Sequence, residues 1–334
     1  MRRRDFIKRS ALVTGGVLCI PYAWGKNKPQ KEDVTFAIST DIHRGMLPDV
    51  DDRLDTFLKE VEKRDVDFMI DLGDFCLNSP ENAEFVKTWQ DAPVEKYNVL
   101  GNHDMDRGTK EEFMEFIGMK KRYYSFDKGG VHFIVLDPNN LLIDGKYVPY
   151  GNANFYRPAE QRAYIDPEQM AWLKEDIKKT NNHCVIFSHQ SFENPKACKN
   201  QKEVRAIFEA ANEEAGFTKV IAAFSGHDHT DYAKEINGIQ YIQINSMTYN
   251  WVGSKYQCKE RYSEEINKKY PHISKTIPYK DPLFAFVTIK NNKLVVDGVQ
   301  STFIEPGPEK LGLAGDSLNG LPLRAEISDR KIKF

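Results

Sequence analysis

From residue 34 onward, short apolar runs alternate with stretches whose apolar positions recur every three or four residues. Val34 to Ser39 (VTFAIS) has the unbroken apolar character of a strand buried on both faces. Val50, Leu54, Phe57, Leu58 and Val61 then recur at helical spacing and predict an amphipathic helix. Phe68 to Leu72 and Tyr97 to Leu100 predict two further strands. Lys110 to Gly118 predicts a helix that Gly118 ends. Strands and helices in this alternation describe βαβ units and a largely parallel sheet.

The pattern then changes. Tyr123–Phe126 and Val131–Leu136 flank Asp127-Lys128-Gly129-Gly130, a hairpin turn. Residues 137–166 are polar and rich in Asn, Tyr, Pro and Gly, and loops of that length are usually functional or disordered. Asp166-Pro167 opens a helix running to about Lys178. Cys184–Phe187 predicts a strand, Lys199–Ala211 a helix and Val220–Phe224 a strand. Ala233–Ile236 and Ile239–Ile244 flank Asn237-Gly238, the strongest short hairpin signal. Residues 250–282 are irregular and polar. Leu283–Ile289 and Leu294–Val299 make a last hairpin, and residues 301–334 show no clear period. No repeat, low-complexity run or linker interrupts the chain. The simplest reading is one domain over residues 31–300 with parallel and antiparallel strands, and a 301–334 tail packing on it or extending it.

Composition narrows the choice. The 334 residues carry a net charge of -2, with 40 % hydrophobic and 29 % charged side chains, which is a globular and soluble balance. The 47 Lys and Arg against 49 Asp and Glu give no basic field for nucleic acid. Residues 1–25 stand apart. Arg2-Arg3-Arg4 precedes an apolar run from Ala11 to Ile20, then Pro21-Tyr22-Ala23-Trp24-Gly25, which is the basic, apolar, small-residue order of an export signal. Arg3-Arg4 followed by Asp5-Phe6-Ile7-Lys8 resembles the twin-arginine signal, so the expected partner is that export machinery and the expected location periplasmic or otherwise extracytoplasmic. The run is too short to span a bilayer, and no stable membrane anchor is expected. Cys76, Cys184, Cys198 and Cys258 remain beyond that segment, scattered and without a pairing signal.

The candidate chemistry follows the strands. Asp41-Ile42-His43 comes after the first, Gly73-Asp74 after the second and Gly101-Asn102-His103-Asp104 after the third. His189 follows the fourth and Gly226-His227-Asp228-His229 the fifth. Parallel strands bring their carboxyl ends to one rim, where ligands bind. Five of the 8 histidines lie in these clusters, and imidazole with carboxylate is the ligand set of iron, manganese, zinc or cobalt. Asp-x-His and His-x-His on an extended segment would place both ligands on one side.

The ordered set D-x-H, G-D, G-N-H-D, H and G-H-x-H resembles the calcineurin-like metallophosphoesterases over roughly Val34 to Val299. The resemblance implies an α/β fold, a four-layer α/β/β/α sandwich of two mixed sheets flanked by helices, and two metal ions. One ion would take Asp41, His43, Asp74 and His229; the other would take Asp74, Asn102, His189 and His227, with Asp74 and a hydroxide bridging. That hydroxide would attack a small-molecule phosphomonoester or phosphodiester. His103 would assist the leaving group, and Asp104 would orient His103 or a neighbour, or cap its loop. Gly73-Asp74 continues Phe75-Cys76-Leu77-Asn78, without the arginine of phosphoprotein phosphatases or the tyrosine ligand of purple acid phosphatases. Arg107, Tyr249 and Trp251 are candidate substrate contacts. Tyr147, Tyr150, Phe155 and Tyr156 either pack the long loop or stack on substrate. A non-catalytic metal or phosphate-ligand binding protein, and a phospholipid-directed phosphodiesterase at the cell surface, are the competing readings.

Overall fold

A computed structural model describes residues 33–313 and 317–334, so the expected export signal lies outside the described residues. The first half of the chain runs β1 (Asp33–Ser39), α1 (Val50–Glu62), β2 (Phe68–Asp71), α2 (Ala83–Asp91), β3 (Lys96–Asn98) and α3 (Lys110–Ile117). It continues with β4 (Tyr124–Lys128), β5 (Val131–Leu136) and the small hairpin β6 (Asn140–Ile143) and β7 (Lys146–Pro149). The second half adds α4 (Pro167–Lys179), β8 (His183–Ser188), α5 (Gln201–Ala215), β9 (Val220–Ser225), β10 (Tyr232–Ile236) and β11 (Ile239–Gln243). Then come β12 (Tyr249–Trp251), α6 (Glu264–Lys269), β13 (Thr276–Pro278), β14 (Ala285–Lys290) and β15 (Lys293–Gly298). Two minimal strands, β16 (Ser317–Leu318) and β17 (Leu321–Pro322), precede β18 (Arg330–Lys333).

The strands form two six-stranded mixed sheets, ordered β18-β15-β14-β1-β2-β3 and β10-β11-β9-β8-β5-β4. Each has a parallel run: β1, β2 and β3 in the first, with β3 at its edge, and β5, β8, β9 and β11 in the second. Antiparallel strands close the other edge of the first sheet and both edges of the second.

The unbroken apolar runs have their cause in the layering. Phe36, Ile38, Phe68 and Ile70 of the first sheet share one core with Phe133, Val135, Val185, Phe187 and Phe224 of the second. Phe36 stacks on Phe68 at 4.9 Å between ring centroids and meets Phe133 and Phe187 edge-on. The alternate residues face outward but are covered too. Ala37, Met69 and Leu100 pack with Leu54, Phe57, Trp89 and Phe113 of α1 to α3. Ile134, Leu136 and Ile186 pack with Leu173, Ile177, Val204 and Phe208 of α4 and α5. The result is the expected four-layer α/β/β/α sandwich, and strands buried on both faces need apolar side chains at every position.

Local signals explain the helix ends. Asp166 accepts the Gln169 N–H with Pro167 at the first helical position, and Thr109 and Glu112 form a reciprocal cap on α3. Gly118 ends α3 at φ 82°. Four features were not expected from the sequence: α2, the β6–β7 hairpin inside the polar stretch, the short elements between 249 and 278, and β18. The last turns part of the C-terminal tail into an edge strand of the first sheet. Cys76, Cys184, Cys198 and Cys258 are all buried free thiols. Among the described residues no helix is long and apolar enough to cross a membrane.

One histidine clamps sheet to helix. His132 on β5 lies 3.0 Å from Asp127 on β4 and 2.9 Å from Asp176 on α4. Burial alone would lower this imidazole, but the hydrogen bonds to Asp176 and Asp127 outweigh it and raise it. Its stabilisation is therefore fully present below the ordinary value of 6.5 and is lost as pH rises through the raised value. His132→Gln is expected to lower the melting temperature more at about pH 5.5 than at about pH 9. Parallel thermal melts of wild type and variant check this; an equal loss at both pH values contradicts it.

Candidate metal centre

The polar clusters meet because the parallel pairing runs on beyond the strands. Past β1 and β2, Asp41 N–H donates to Gly73 O and His43 N–H to Asp74 O, both at 2.9 Å. Past β8 and β9, Gly226 N–H donates to His189 O at 3.0 Å. The two sheets are then tied at this rim. His227 N–H donates to Asp41 Oδ2 at 2.9 Å, and the Ser246 and Thr248 hydroxyls donate to Asp41 O.

Six side chains converge there in two triads, Asp41 with His43 and His229, and Asp74 with His189 and His227. His229 Nε2 is 3.2 Å from Asp41 Oδ1, and His189 Nε2 is 3.1 Å from Asp74 Oδ2. His43 Nε2 stands 3.6 Å from both Asp41 Oδ1 and Asp74 Oδ2, and 3.1 Å from His229 Nε2. Asn102 is buried beside the second triad, with its Oδ1 3.5 Å from Gln190 Nε2.

The backbone carrying these groups corrects one expectation. Asp41, His43, Asp74, His227 and His229 all have positive φ, between 48° and 73°. Asp-x-His and His-x-His are therefore not extended segments with both ligands on one side. They are turns beyond the strand ends, held in the left-handed region that non-glycine residues avoid. Such conformations cost on the order of 1–3 kcal/mol each and persist where the surroundings impose them. Glycine serves a different need here. A Cβ on Gly73 would run into the backbone of Gly101, and one on Gly101 into the backbone of Asp74, so the turns after β2 and β3 approach main chain to main chain.

The electrostatics call for a cation. His189 Nδ1 lies 2.9 Å from Leu72 O and His229 Nδ1 2.9 Å from Tyr249 O. Carbonyls only accept, so each Nδ1 is the donor, and each ring, when its Nε2 carries no proton, aims that lone pair at a carboxylate. A lone pair facing an anion at 3.1–3.2 Å is repulsive unless a proton or a metal ion answers it. Asp41 Oδ1 is buried with no hydrogen-bond partner. With no metal bound, a proton answers the repulsion on His189: burial would lower this imidazole, but Asp74 and Asp41 outweigh it and hold it at about 10. Burial and the neighbouring His189 charge press His227 down to about 4. Burial works against ionising Asp74, yet His189 and His103 keep it well below the usual carboxylate range. Orphaned oxygen, paired carboxylates and tautomer-fixed imidazoles fit two transition-metal ions, one per triad.

His103 stands at the edge of this cluster, its ring 5.5 Å from that of His43. Its Nδ1 is 2.8 Å from Asp106 Oδ2. Asp106 therefore orients this ring, and Asp104 takes the other of its two expected roles, that of a loop-capping carboxylate. Asp104 is fully buried and accepts three backbone N–H groups, those of Asp74, Phe75 and Gly101, at 3.1, 2.8 and 2.8 Å. It ties the turn after β2 to the turn after β3 and so sets the position of Asp74. The three candidate substrate contacts lie in different settings. Arg107 is exposed. Tyr249 is buried, its ring 5.5 Å from His43 and 4.8 Å from His229, so it packs under the first triad. Trp251 is 44 % exposed and neighbours His272.

A buried polar chain supports the second triad and was missed in the sequence. Lys110 Nζ bonds Asp137 Oδ2, Asp137 Oδ1 accepts the Asn139 N–H, and Asn139 Oδ1 accepts from Gln190 Nε2, which reaches Asn102. The signal was present: Asp137-Pro138-Asn139 follows a strand just as the other clusters do.

The calcineurin-like phosphoesterase profile matches residues 34–231 of this chain. No protein with a curated description matches the sequence. Among solved structures, a dimetal phosphatase from Danio rerio is similar with a TM-score of 0.57 at 14 % identity, covering 81 % of this chain and 98 % of its own. A PhoD structure is similar with a TM-score of 0.50 at 13 % identity, covering 83 % of this chain and 67 % of its own. At such identities the likeness speaks for the fold.

Asp104 and Asp106 provide a test of these assignments. Asp104→Ala leaves three buried N–H groups without an acceptor, and each costs about 1–3 kcal/mol. The variant is expected to lose about 3 kcal/mol or more in denaturant unfolding, and Asp106→Asn less than about 1 kcal/mol. Equal losses contradict the division of roles.

Proposed function

Because the chain belongs to the calcineurin-like phosphoesterase family, we propose that it hydrolyses a small-molecule phosphate ester at a centre of two metal ions. The observation that carries this reading is the pair of triads, each with imidazole lone pairs facing a buried carboxylate. Asp41, His43 and His229 would hold one ion. Asp74, His189 and His227 would hold the other with Asn102, and Asp74 lies near enough to His43 to serve both. Iron, manganese, zinc and cobalt all suit this donor set. Bound there, the ions stabilise charge on the phosphoryl oxygens and acidify water.

The chain's own groups account for the remainder. Two carboxylates offset only part of the charge of two ions, so the centre attracts an anionic ester, and neutral Asn102 preserves the excess. The new bond joins a water oxygen to phosphorus as a proton of that water passes to solvent, and the bond from phosphorus to the leaving oxygen breaks. His103 gives that oxygen its proton from Nε2, since Nδ1 is engaged by Asp106. Asp106 fixes the ring and favours its protonated form; burial would lower the imidazole, but Asp74 and Asp106 raise it. The basic, apolar, small-residue order of residues 1–25 supports export by the twin-arginine route as part of the same reading.

The test is to count bound metal and assay nitrophenyl phosphate and bis-nitrophenyl phosphate on one sample. Wild type is expected to hold two ions and turn over at least one ester. His103→Ala is expected to keep its metal and lose turnover by ~10²–10⁴, the span of general-acid contributions. Full metal content with no turnover in wild type would mean a binding protein. Unchanged turnover in His103→Ala would remove the role given to His103.

A further inference from the structure

The side of the site where the alcohol departs has a built wall. On the reading above, on which this inference rests, the leaving oxygen lies against His103. The wall there comes from the polar insertion between β7 and α4. Asn152 N–H donates to Gly108 O at 2.7 Å and Ala153 N–H to Met105 O at 2.9 Å, which latches the insertion onto the turn that carries His103. Phe155 packs edge-on against the His103 ring at 5.6 Å, and Tyr150 stacks behind Phe155 at 5.0 Å. Both are buried. Tyr156 stands in front of them, its ring 6.2 Å from His103 and its hydroxyl 3.4 Å from Nδ1.

Tyr156 is 63 % exposed, while the aromatic residues behind it are almost fully buried. A large ring held in water beside a proton donor gains by being covered, and a flat ring covers it best.

We propose that Tyr156 is a stacking platform for the leaving group, and that the substrate is an ester whose alcohol bears a planar aromatic ring, as a nucleoside does. Tyr156 thereby acts on specificity, not on the chemical step. Base-on-aromatic stacking of this kind is sequence-tolerant and strong enough to change selectivity by about tenfold or more.

The experiment compares 5′-adenylate with glycerol 3-phosphate, each as the monoester and as its methyl diester, on metal-loaded full-length protein. Both alcohols are primary, so the pair differs in the ring and little in leaving-group strength. Wild type is expected to favour the adenylate in kcat/KM. Tyr156→Ala is expected to reduce that preference about tenfold, mainly through KM, and Tyr156→Phe to retain it. Melting temperatures of both variants report folding. An unchanged preference in Tyr156→Ala overturns the proposal. So does an equal fall in Tyr156→Phe, because the hydroxyl on His103 would then be the working part. A metal-loaded wild type that cleaves none of these esters but cleaves nitrophenyl esters overturns the alcohol assigned here and leaves the phosphoesterase reading standing. Cleavage of neither set removes both.

Discussion

Two carboxylates, Asp41 and Asp74, are buried side by side at the carboxyl ends of adjacent parallel strands, and the rest of the structure answers their charge. Burying an anion is costly unless it is paired and hydrogen-bonded. Backbone and hydroxyl donors satisfy part of the need: Thr40 and the His227 N–H bond Asp41, and the His103 N–H bonds Asp74. The oxygens that remain face imidazole nitrogens whose own protons lie on the far side of the ring. Positive charge between them is the arrangement's missing partner, and metal ions supply it more permanently than protons do. The second sheet exists in this account to bring His189, His227 and His229 to carboxylates supplied by the first.

The same demand explains the strained backbone. Five of the six triad residues sit at positive φ, so the turns are bent to aim side chains inward and not to relax the main chain. What imposes the bend can be named. Asp104 collects three N–H groups from two turns, and Ser246 and Thr248 fasten the carbonyl of Asp41 from the other sheet. The chain from Lys110 through Asp137, Asn139 and Gln190 does the same for Asn102. Fixing ligands through such outer partners is how metal centres hold their geometry.

Much of this was legible in the sequence because burial leaves a mark. Strands covered on both faces must be apolar throughout, so β1, β5, β8 and β9 stood out, and the polar groups at their ends stood out against them. What escaped depends on partners distant in sequence. The short β3 ends at Asn98, two residues before its expected limit, because the chain turns toward Asp74 there. In α2 the apolar face is only Phe85, Val86 and Trp89, too few to declare a helix without the sheet they cover. The charged sequence of β18 reads as tail, and only pairing with β15 makes it a strand; charge suits an exposed edge. Asp104 and Asp106 are both near His103 in sequence, and nothing local says which one turns inward to the backbone and which one reaches the imidazole.

Everything proposed for this rim depends on the two triads being metal sites. Anomalous diffraction from crystals of the metal-loaded protein, recorded on both sides of the absorption edge of the bound metal, tests it most directly. Two peaks are expected, one among Asp41, His43 and His229 and the other among Asp74, His189 and His227. A map with no peak at this rim, from protein that carries metal in solution, would contradict it.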